Sequence, residues 1–378
     1  MVHSVNSLSH SPTAAEIDLA AFSENISNLT KLLSKSSVLL AVVKTNAYGH
    51  GIVPISHEAV KCGAKRLGVT TVEEGVLLRE NGIKVPIHIL SSVTTEQAAD
   101  IVTYELTASI STEQFAYVLS KEAVKQGRTT NCHLKIDTGL HRFGVAPEQA
   151  LYFCEACCTL PGLKWEGIYT HFSCADDGDW ITTEQQFALF MDTVMTLNKH
   201  GYHFPVRHVG GSTIAMERPD MHLDMVRAGV ALFGHHPAPR QQNIISLKGV
   251  MKLKSKLIHV RELPPNTPIG YGGSYVTTST EKIAVVPIGH GDGYKRAFST
   301  KGEMLVGGQR AKIVGTISLD QTLINVTHIP GVREGDEVVL IGRQGDHEIT
   351  TLEVAEWMDS IVDEVVSSLM ERIRRVYI

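Results

Sequence analysis

Residues 38–51 read VLLAVVKTNAYGHG, an apolar run that ends in a lysine and is followed by a glycine-rich turn. A short run of aliphatic residues without polar alternation is typical of a strand buried on both faces, as in a parallel sheet. Lys44 stands at the C-terminal end of this predicted strand, which is the end that faces the active site in a barrel enzyme. A lysine there can serve as an imine-forming amine, although a lysine that merely snorkels from a strand end fits the same pattern.

Seven further apolar runs follow at intervals, each separated from the next by a longer amphipathic stretch. They are LGVTT from residue 67, IHILSS from 87, ELTAS from 105, CHLKID from 132, EGIYTHF from 166, VRHVG from 206 and GVALFG from 229. Helical patterns lie between them, and Gly127 and Gly201 stand where helix stops are expected. Eight strand–helix units predict an α/β fold with an N-terminal (β/α)8 TIM-like barrel. An open doubly wound sheet is the alternative, because counting runs does not prove closure.

The pattern changes after Pro239 to short alternating runs broken by proline and glycine. Such runs predict a C-terminal, mainly antiparallel β domain, closed by a helical tail from about Thr351 to Met370. We therefore assign residues 15–240 to the barrel and residues 241–378 to the β domain. Residues 1–14 are expected to pack with the β domain or to be disordered.

The bulk composition excludes several classes of protein. The net charge of −5 gives no basic surface for a nucleic acid. The sequence has neither an apolar stretch of about 18 to 20 residues nor a secretory signal, so we expect a cytoplasmic protein without a membrane partner. The six cysteines fit neither a disulfide framework nor a zinc site, and we predict no metal.

Two further stretches place polar residues after predicted strands. Arg142, in DTGLHRFG, could bind a carboxylate, and Lys135 lies in the strand before it; a loop salt bridge is the plainer interpretation. His171 ends a strand in THFSCADDGD, whose acidic residues fit a solvated loop better than a metal site.

Glycine-rich backbone follows the last two predicted strands. Gly211 and Ser212 come after HVG, while Arg227, Gly229 and Val230 begin the last unit. Barrels often bind phosphate at these loops, yet neither stretch is a Walker A or GxGxxG motif, so a nucleotide is not indicated. In the β domain, Tyr271 of PIGYGGSY could act as an acid/base group or could be a turn tyrosine.

These stretches, in this order, resemble the alanine racemases. The resemblance covers nearly the whole chain and rests on six collinear motifs: AVVKTNAYGHG, KIDTGLHRFG, DMVRAG, IGYGGSY, PIGHGDGY and the LDQ of GTISLDQ. It implies a racemase that interconverts L- and D-alanine with pyridoxal 5'-phosphate (PLP). The D-alanine would serve peptidoglycan synthesis in a bacterium.

The resemblance also assigns roles to individual residues. It implies that Lys44 carries PLP as a Schiff base and that Tyr271, from the other subunit of a head-to-tail homodimer, is the second catalytic base. Arg227 would face the pyridine nitrogen, where a cation keeps that nitrogen unprotonated and suppresses transamination. His171 would link Tyr271 to Arg227. The remaining roles are as follows: Tyr48, Ser212, Gly229 and Val230 hold the phosphate, Arg142 and the N–H of Leu319 hold the substrate carboxylate, and Lys135 is carbamylated.

The chain departs from the family pattern at several positions that line the route to the cofactor. They are Gly211 in place of an asparagine, His290 in place of a tyrosine, Thr316 in place of an arginine and Glu371 in place of an entryway tyrosine. A larger or more polar substrate, such as serine or lysine, therefore stays open. Rival interpretations are a PLP barrel decarboxylase, a PLP-binding protein without catalysis, and a regulatory module on a racemase scaffold. Arg227 argues against the decarboxylase, and the β domain argues against the non-catalytic PLP-binding protein. The presence of both Lys44 and Tyr271 argues against the regulatory module.

Overall fold

A computed structural model describes residues 11–378, which divide into two compact units. The barrel unit holds residues 21–47 and 52–248, and the β unit holds residues 11–20, 48–51 and 249–378. The first strand, β1 (Ala14–Ile17), belongs to the β unit. The described residues thus start in the β unit, lie mostly in the barrel unit up to residue 248, and belong to the β unit again from residue 249. The sequence assigned residues 15–20 to the barrel and set the boundary at residue 240, eight residues earlier than residue 248.

The barrel unit is built from eight short parallel strands with helices between them. The strands are β2 (Val38–Val42), β3 (Arg66–Val69), β4 (Ile87–Ile89), β5 (Ala108–Ile110), β6 (Thr130–Lys135), β7 (Leu163–Tyr169), β8 (Val206–His208) and β9 (Met225–Ala228). The helices are α1 (Leu19–Leu32), α2 (Lys44–Tyr48, a left-handed turn), α3 (Ile52–Lys61), α4 (Val72–Glu80), α5 (Ala98–Thr103), α6 (Glu113–Lys125), α7 (Ala150–Cys157), α8 (Trp180–Lys199) and α9 (Ser212–Glu217).

The strands form two four-stranded parallel sheets, β4-β3-β2-β9 and β5-β6-β7-β8. Backbone hydrogen bonds join the sheets at both seams. Between β4 and β5, the N–H of Ile89 donates to the carbonyl of Thr107 at 2.9 Å, and between β8 and β9 the N–H of Asp224 donates to the carbonyl of Arg207 at 3.1 Å. The eight strands therefore close into the predicted (β/α)8 barrel, and the open-sheet alternative is wrong.

The barrel helices follow the local rules of helix formation. In α6, the side chain of Thr112 caps the N-terminus by accepting from the N–H of Phe115 at 3.3 Å. Its apolar residues recur three to four positions apart, so one face is buried: Phe115, Ala116, Leu119 and Ala123. Gly127 (φ 63°) and Gly201 (φ 88°) follow α6 and α8 in left-handed conformations, as the sequence predicted.

The β unit is organised around one large, mainly antiparallel sheet. Besides β1, its strands are β10 (Met251–Lys256), β11 (His259–Leu263), β14 (Glu281–Val286), β15 (Glu303–Val306), β16 (Gln309–Ile313), β17 (Thr322–Asn325), β18 (Glu337–Gln344), β19 (His347–Ile349) and β20 (Arg374–Tyr377). Their order in the sheet is β11-β14-β17-β16-β15-β18-β10-β1-β20, with β19 paired to β18. A separate pair, β12 (Pro268–Ile269) and β13 (Tyr275–Val276), flanks a 3-10 turn at Tyr271–Gly273. The helices of this unit are α10 (Thr351–Trp357) and α11 (Val362–Ser367).

The two ends of the described chain lie side by side in this sheet. β1 pairs antiparallel with β10, with Ala14 opposite Lys254, and parallel with β20, with Ala14 opposite Arg374. Thr13 adds hydrogen bonds to Ser255 at 2.7 Å and to the carbonyl of Pro287 at 2.9 Å. Residues 11–14 therefore pack with the β unit, whereas residues 1–10 lie outside the described residues.

Two sequence predictions of elements are wrong. The last barrel strand is Met225–Ala228, and the apolar run after Gly229 forms a 3-10 helix, Val230–Phe233. A short apolar run does not by itself distinguish a strand from a buried helical turn. The predicted helical tail is two short helices followed by β20, whose sequence RRVY lacks an apolar run. No helix within residues 11–378 combines the length and apolarity needed to cross a bilayer.

Candidate active site

The predicted site residues of the barrel unit collect at one edge, the C-terminal ends of the strands. Parallel strands present these ends together, so side chains from distant parts of the sequence meet there. Lys44 follows β2, Arg142 follows β6, His171 follows β7, Ser212 follows β8, and Arg227 lies in β9 just before Gly229 and Val230.

The turn that holds Lys44 has an uncommon backbone. Thr45, Asn46, Ala47 and Tyr48 all have positive φ, between 51° and 55°, although none is a glycine. The N–H of Ala47 donates to the carbonyl of Val43 at 2.9 Å, which closes a left-handed turn. Each such residue costs roughly 1–2 kcal/mol relative to a right-handed conformation. Strain of this kind persists where the surrounding structure imposes it, typically at functional sites.

Arg227 is a buried cation held by hydrogen bonds to neutral groups. One terminal nitrogen donates to Nδ1 of His208 at 2.7 Å, and the other donates to Nδ1 of His171 at 2.8 Å and to the carbonyls of Thr170 and Val209 at 3.0 and 3.1 Å. Within residues 11–378 it pairs with no carboxylate. Burial lowers the pKa of Arg227 to about 10, so the guanidinium remains charged at neutral pH.

His171 is a neutral imidazole among cations. Burial, followed by the charges of Arg227, Arg142, Lys135 and Lys44, holds its pKa well below the usual range. Because a guanidinium only donates, Nδ1 of His171 must accept the bond from Arg227. The proton of His171 is therefore on Nε2. Two arginines and two lysines close enough to act on one imidazole make this edge of the barrel suited to anions.

Ser212 lies where the loops after β8 and β9 meet, among backbone N–H groups. Its hydroxyl oxygen accepts from the N–H of Gly229 at 3.1 Å and from that of Ala231 at 3.4 Å, which joins the loops after β8 and β9. Ser212 also begins α9, whose first N–H groups have no acceptor within the helix. A Cβ added at Gly211 would find no atom nearer than 3.8 Å, so this backbone is open to a ligand.

Lys135 lies deeper and is almost completely buried. Its ammonium nitrogen donates to the carbonyl of Ile136 at 2.7 Å and lies 5.6 Å from the ring centroids of both Phe143 and Tyr169. Burial, with a further contribution from Arg227, lowers the pKa of Lys135 to about 7. About half of this amine is therefore uncharged at neutral pH.

Arg142 does not form the loop salt bridge that was its plainer interpretation. It is exposed, and its guanidinium lies 5.8 Å from the ring centroid of Phe143. No carboxylate within the described residues pairs with it. Asp137, the nearby acid in the motif, instead accepts the backbone N–H groups of Gly139 and His141 at 3.2 and 3.0 Å. Arg142 is thus available to an external carboxylate.

The remaining predicted site residues belong to the β unit. Tyr48 is buried, whereas Tyr271 and Leu319 are 73% and 59% exposed, unusual values for large apolar side chains. Tyr271 follows Gly270, whose φ of 75° favours glycine at the start of this turn. Tyr271 and Leu319 are open to a second molecule.

The positions that depart from the family pattern also have defined surroundings. The hydroxyl of Thr316 lies 3.1 Å from that of Ser274, close to the turn of Tyr271. The N–H of His290 donates to the carbonyl of Ser318 at 3.0 Å. His290 and Glu371 are both exposed.

Sequence reasoning missed a hydrogen-bonded chain of buried side chains beneath Arg227. Nε2 of His208 lies 2.8 Å from Nδ1 of His133, whose Nε2 lies 3.3 Å from Glu166. Glu166 in turn forms a bidentate ion pair with Arg66, with both distances 2.7 Å. Because Arg227 must donate to His208, each histidine carries its proton on Nε2, and the chain runs in one direction to Glu166. A histidine inside an apolar strand run was the signal available in the sequence.

His88 completes this cluster, and the donor atoms of His88, His133 and His208 lie within 4.8 Å of one another. That spacing would suit a metal ion. However, Arg66 and Arg227 flank the cluster, and its one carboxylate, Glu166, is already paired with Arg66. A divalent cation would face uncompensated repulsion there, so neutral imidazoles fit the surroundings better.

Two domain-level matches cover almost the whole chain. Residues 17–237 match the N-terminal domain of alanine racemase, and residues 250–377 match the C-terminal domain. This chain belongs to the alanine racemase family. Members of the alanine racemase family are PLP-dependent isomerases.

Individual relatives are similar to this chain over nearly its full length. An alanine racemase from Halothermothrix orenii is 40% identical over 366 residues, which cover 97% of each chain. The solved alanine racemase of Clostridium difficile 630 matches with a TM-score of 0.93 and 33% identity over 98% of this chain and 96% of that one. A histidine racemase from Leuconostoc mesenteroides subsp. sake NBRC 102480 matches with a TM-score of 0.86 and 27% identity over 98% and 99% of the two chains. The alanine racemase fold thus occurs with more than one substrate.

Proposed function

We propose that this protein is a PLP-dependent racemase that interconverts L- and D-alanine. The observation that carries the proposal is the set of groups at the C-terminal edge of the barrel: an amine at Lys44, an open backbone around Ser212, and the buried guanidinium of Arg227 without a carboxylate. PLP barrel decarboxylases, like aminotransferase-like enzymes, generally place a carboxylate at the cofactor nitrogen, so Arg227 favours a racemase over a decarboxylase.

These groups match what PLP requires. The amine of Lys44 is the group that can bond to the coenzyme aldehyde. Ser212, Gly229 and Val230, together with Tyr48, would hold the phosphate with backbone and hydroxyl donors. Arg227 would donate to the ring nitrogen. The excess of cations over carboxylates at this edge fits a ligand that carries a phosphate and a substrate that carries a carboxylate.

Bound PLP withdraws electrons from the α-carbon of the amino acid, which makes the α-hydrogen acidic. Racemisation then requires removal of the proton on one face and its return on the other. In the proposed mechanism, Nζ of Lys44 exchanges the proton on one face and the phenol oxygen of Tyr271 exchanges it on the opposite face. Arg142 and the N–H of Leu319 orient the substrate carboxylate. His171, with its proton on Nε2, can donate to the phenol oxygen while Arg227 fixes its ring.

We infer that the active form is a head-to-tail homodimer in which Tyr271 completes the site of the partner subunit. The exposure of Tyr271 and Leu319 on the β unit supports this arrangement, because a second copy would cover both residues.

Chiral chromatography of products tests the reaction. Purified protein supplied with PLP is incubated with each proteinogenic L-amino acid, including serine, lysine and histidine, and D-isomer formation is measured. We expect alanine to be racemised fastest. A clear preference for another amino acid would reject the substrate but keep the enzyme class. Release of carbon dioxide without D-isomer would instead indicate a decarboxylase.

Substitution of Tyr271 tests the two-base assignment. Tyr271→Phe removes only the phenol oxygen, so proton abstraction from one enantiomer should fall by about a hundredfold or more, and from the other far less. Isotope exchange into L- and D-alanine from deuterated water measures the two directions. Tyr152→Phe, at an exposed tyrosine of the barrel unit, is the matched control. Equal, modest losses in both directions would contradict the role of Tyr271.

A further inference from the structure

The carboxylate of Glu74, which is not among the proposed PLP-binding or catalytic groups, accepts a hydrogen bond from the turn that follows Lys44. Oε1 of Glu74 accepts a hydrogen bond from the backbone N–H of Asn46 at 3.0 Å. Oε2 of the same side chain accepts from the N–H of Thr70 at 3.3 Å. A single side chain therefore bridges the segments that leave the neighbouring strands β2 and β3.

The bridged turn needs external support. Asn46 is the second of four consecutive residues in the left-handed conformation, which side chains other than glycine adopt at a cost. A hydrogen bond to the N–H group of Asn46 offsets part of this cost and stabilises the left-handed conformation of the residue. A second tie exists at the same residue, because Oδ1 of Asn46 accepts from the N–H of Ile52 at 2.8 Å.

Glu74 is itself rigidly placed. It lies in the first turn of α4, where its N–H donates to the capping hydroxyl of Thr71 at 3.2 Å. The strand before it is paired with β2, and the N–H of Val43 donates to the carbonyl of Gly68 at 2.8 Å. The carboxylate is thus fixed relative to β2, the strand that precedes Lys44.

We propose that Glu74 is a positioning residue for Lys44, holding the left-handed turn so that the amine keeps its direction at the strand end. The proposal rests on the proposed function in one respect, since it takes Lys44 as the amine that binds PLP. Glu74 does not touch the reacting atoms and acts through the backbone of Asn46.

The adjacent Glu73 provides a matched control. It shares the first turn of α4, and its side chain is exposed, with Oε1 accepting from Gln97 at 3.1 Å. Loss of either charge removes a carboxylate from the N-terminal end of the same helix dipole. Only Glu74 contacts the turn after Lys44, so a difference between the two variants isolates that contact.

The experiment compares Glu74→Gln, Glu74→Ala and Glu73→Gln with the unaltered protein, each checked for folding by circular dichroism. Amide hydrogen exchange is measured without PLP across residues 45–48. The dissociation constant for PLP and the yield of reduced adduct at Lys44 after borohydride treatment are measured separately. Alanine removes both acceptors, whereas glutamine keeps one.

We expect Glu74→Ala to speed exchange at Asn46 and to weaken PLP binding, each by about tenfold or more. Glu74→Gln should fall between Glu74→Ala and the unaltered protein, and Glu73→Gln should match the unaltered protein. Unchanged exchange in Glu74→Ala, or faster exchange with unchanged PLP binding and adduct yield, would overturn the positioning role. If the unaltered protein itself forms no adduct at Lys44, the proposed function fails. This outcome depends on the unaltered protein alone and is therefore distinct from a failure of the role of Glu74.

Discussion

Lys135 is the residue whose surroundings most alter its chemistry. An ordinary lysine is protonated at neutral pH, whereas burial brings the pKa of Lys135 to about 7. An uncharged amine can attack dissolved carbon dioxide and release one N–H proton to solvent, and the resulting carbamate would be an anion near Arg142 and Arg227. The structure thus gives a physical basis for the carbamylation that the family resemblance suggested.

We predict that Lys135 carries a carbamate whose occupancy rises as the pH increases through about 7 at constant carbon dioxide pressure. The direction follows from the uncharged form, which increases above the pKa while surface lysines stay protonated up to about 10. Carbon-13 NMR of protein equilibrated with labelled carbon dioxide detects the adduct. Lys135→Ala should lack the signal, and the same spectrum from both proteins would contradict the prediction.

For individual residues, the sequence predicted the side chains at the barrel edge but not the residues that hold them in place. Lys44 was identifiable because it lies at the end of a predicted strand, and Arg227 because its motif DMVRAG resembles that of the alanine racemases. Glu74 was not, because its role depends on which backbone N–H its carboxylate meets. The left-handed turn after Lys44 was equally hidden, since Thr, Asn, Ala and Tyr in sequence carry no signal for positive φ.

Among the structural elements, β4, β6 and β8 share an unusual feature, since each directs a histidine into the barrel interior. His88, His133 and His208 are completely buried. Burial is the main cause that lowers the pKa of all three. The folded state therefore keeps them neutral, while an unfolded chain protonates histidine below about 6.5. Stability is lost as the pH falls through that value, because the unfolded state then binds more protons.

His88 allows this coupling to be measured on one residue. Its Nε2 lies 3.0 Å from the hydroxyl of Ser109, and its Nδ1 has no hydrogen-bond partner among the described residues. We predict that, between pH 7.5 and 5.5, His88→Leu loses less unfolding free energy than the unaltered protein, by about 1.4 kcal/mol. Urea unfolding at both pH values measures the difference. His203→Gln, at an exposed histidine, should show no such gain, and an equal loss in His88→Leu would refute the coupling.

The elements also show why part of the fold was predictable. Val38–Val42 is a continuous apolar run, and such runs indicate buried parallel strands independently of the loops that connect them. β9 was misplaced because Arg227 interrupts its apolar pattern, and only the structure shows that its guanidinium is satisfied by carbonyls and imidazoles. β20 was missed because its pairing with β1 is nonlocal and its own residues, RRVY, are largely polar.

At the scale of the whole molecule, we propose that each active site contains residues from two copies of the chain. Lys44 and Tyr271 lie in different units of the chain, and the exposed Tyr271 has the character of a residue that contacts a partner. A head-to-tail dimer would contain two sites, each with a lysine from one chain and a tyrosine from the other.

We predict that two inactive variants restore activity when mixed. Lys44→Ala and Tyr271→Phe are each expected to lose racemisation, but subunit exchange gives a mixed dimer with one site in which both residues are intact. Random exchange should therefore recover about a quarter of the unaltered activity, since half the dimers are mixed and each has one intact site of two. Analytical ultracentrifugation confirms the dimer. Dimers that exchange subunits without any recovery would place both residues in the same chain.

The pairing of β1 with β20 constrains how the polypeptide matures. Ala14 and Arg374 are neighbours in the sheet although 360 positions separate them. During synthesis, residues 21–248 leave the ribosome while the edge that must receive β1 has not yet been made. The barrel can thus acquire its structure early, whereas the first strand must wait, beside β10 at best, for residues 374–377 to emerge.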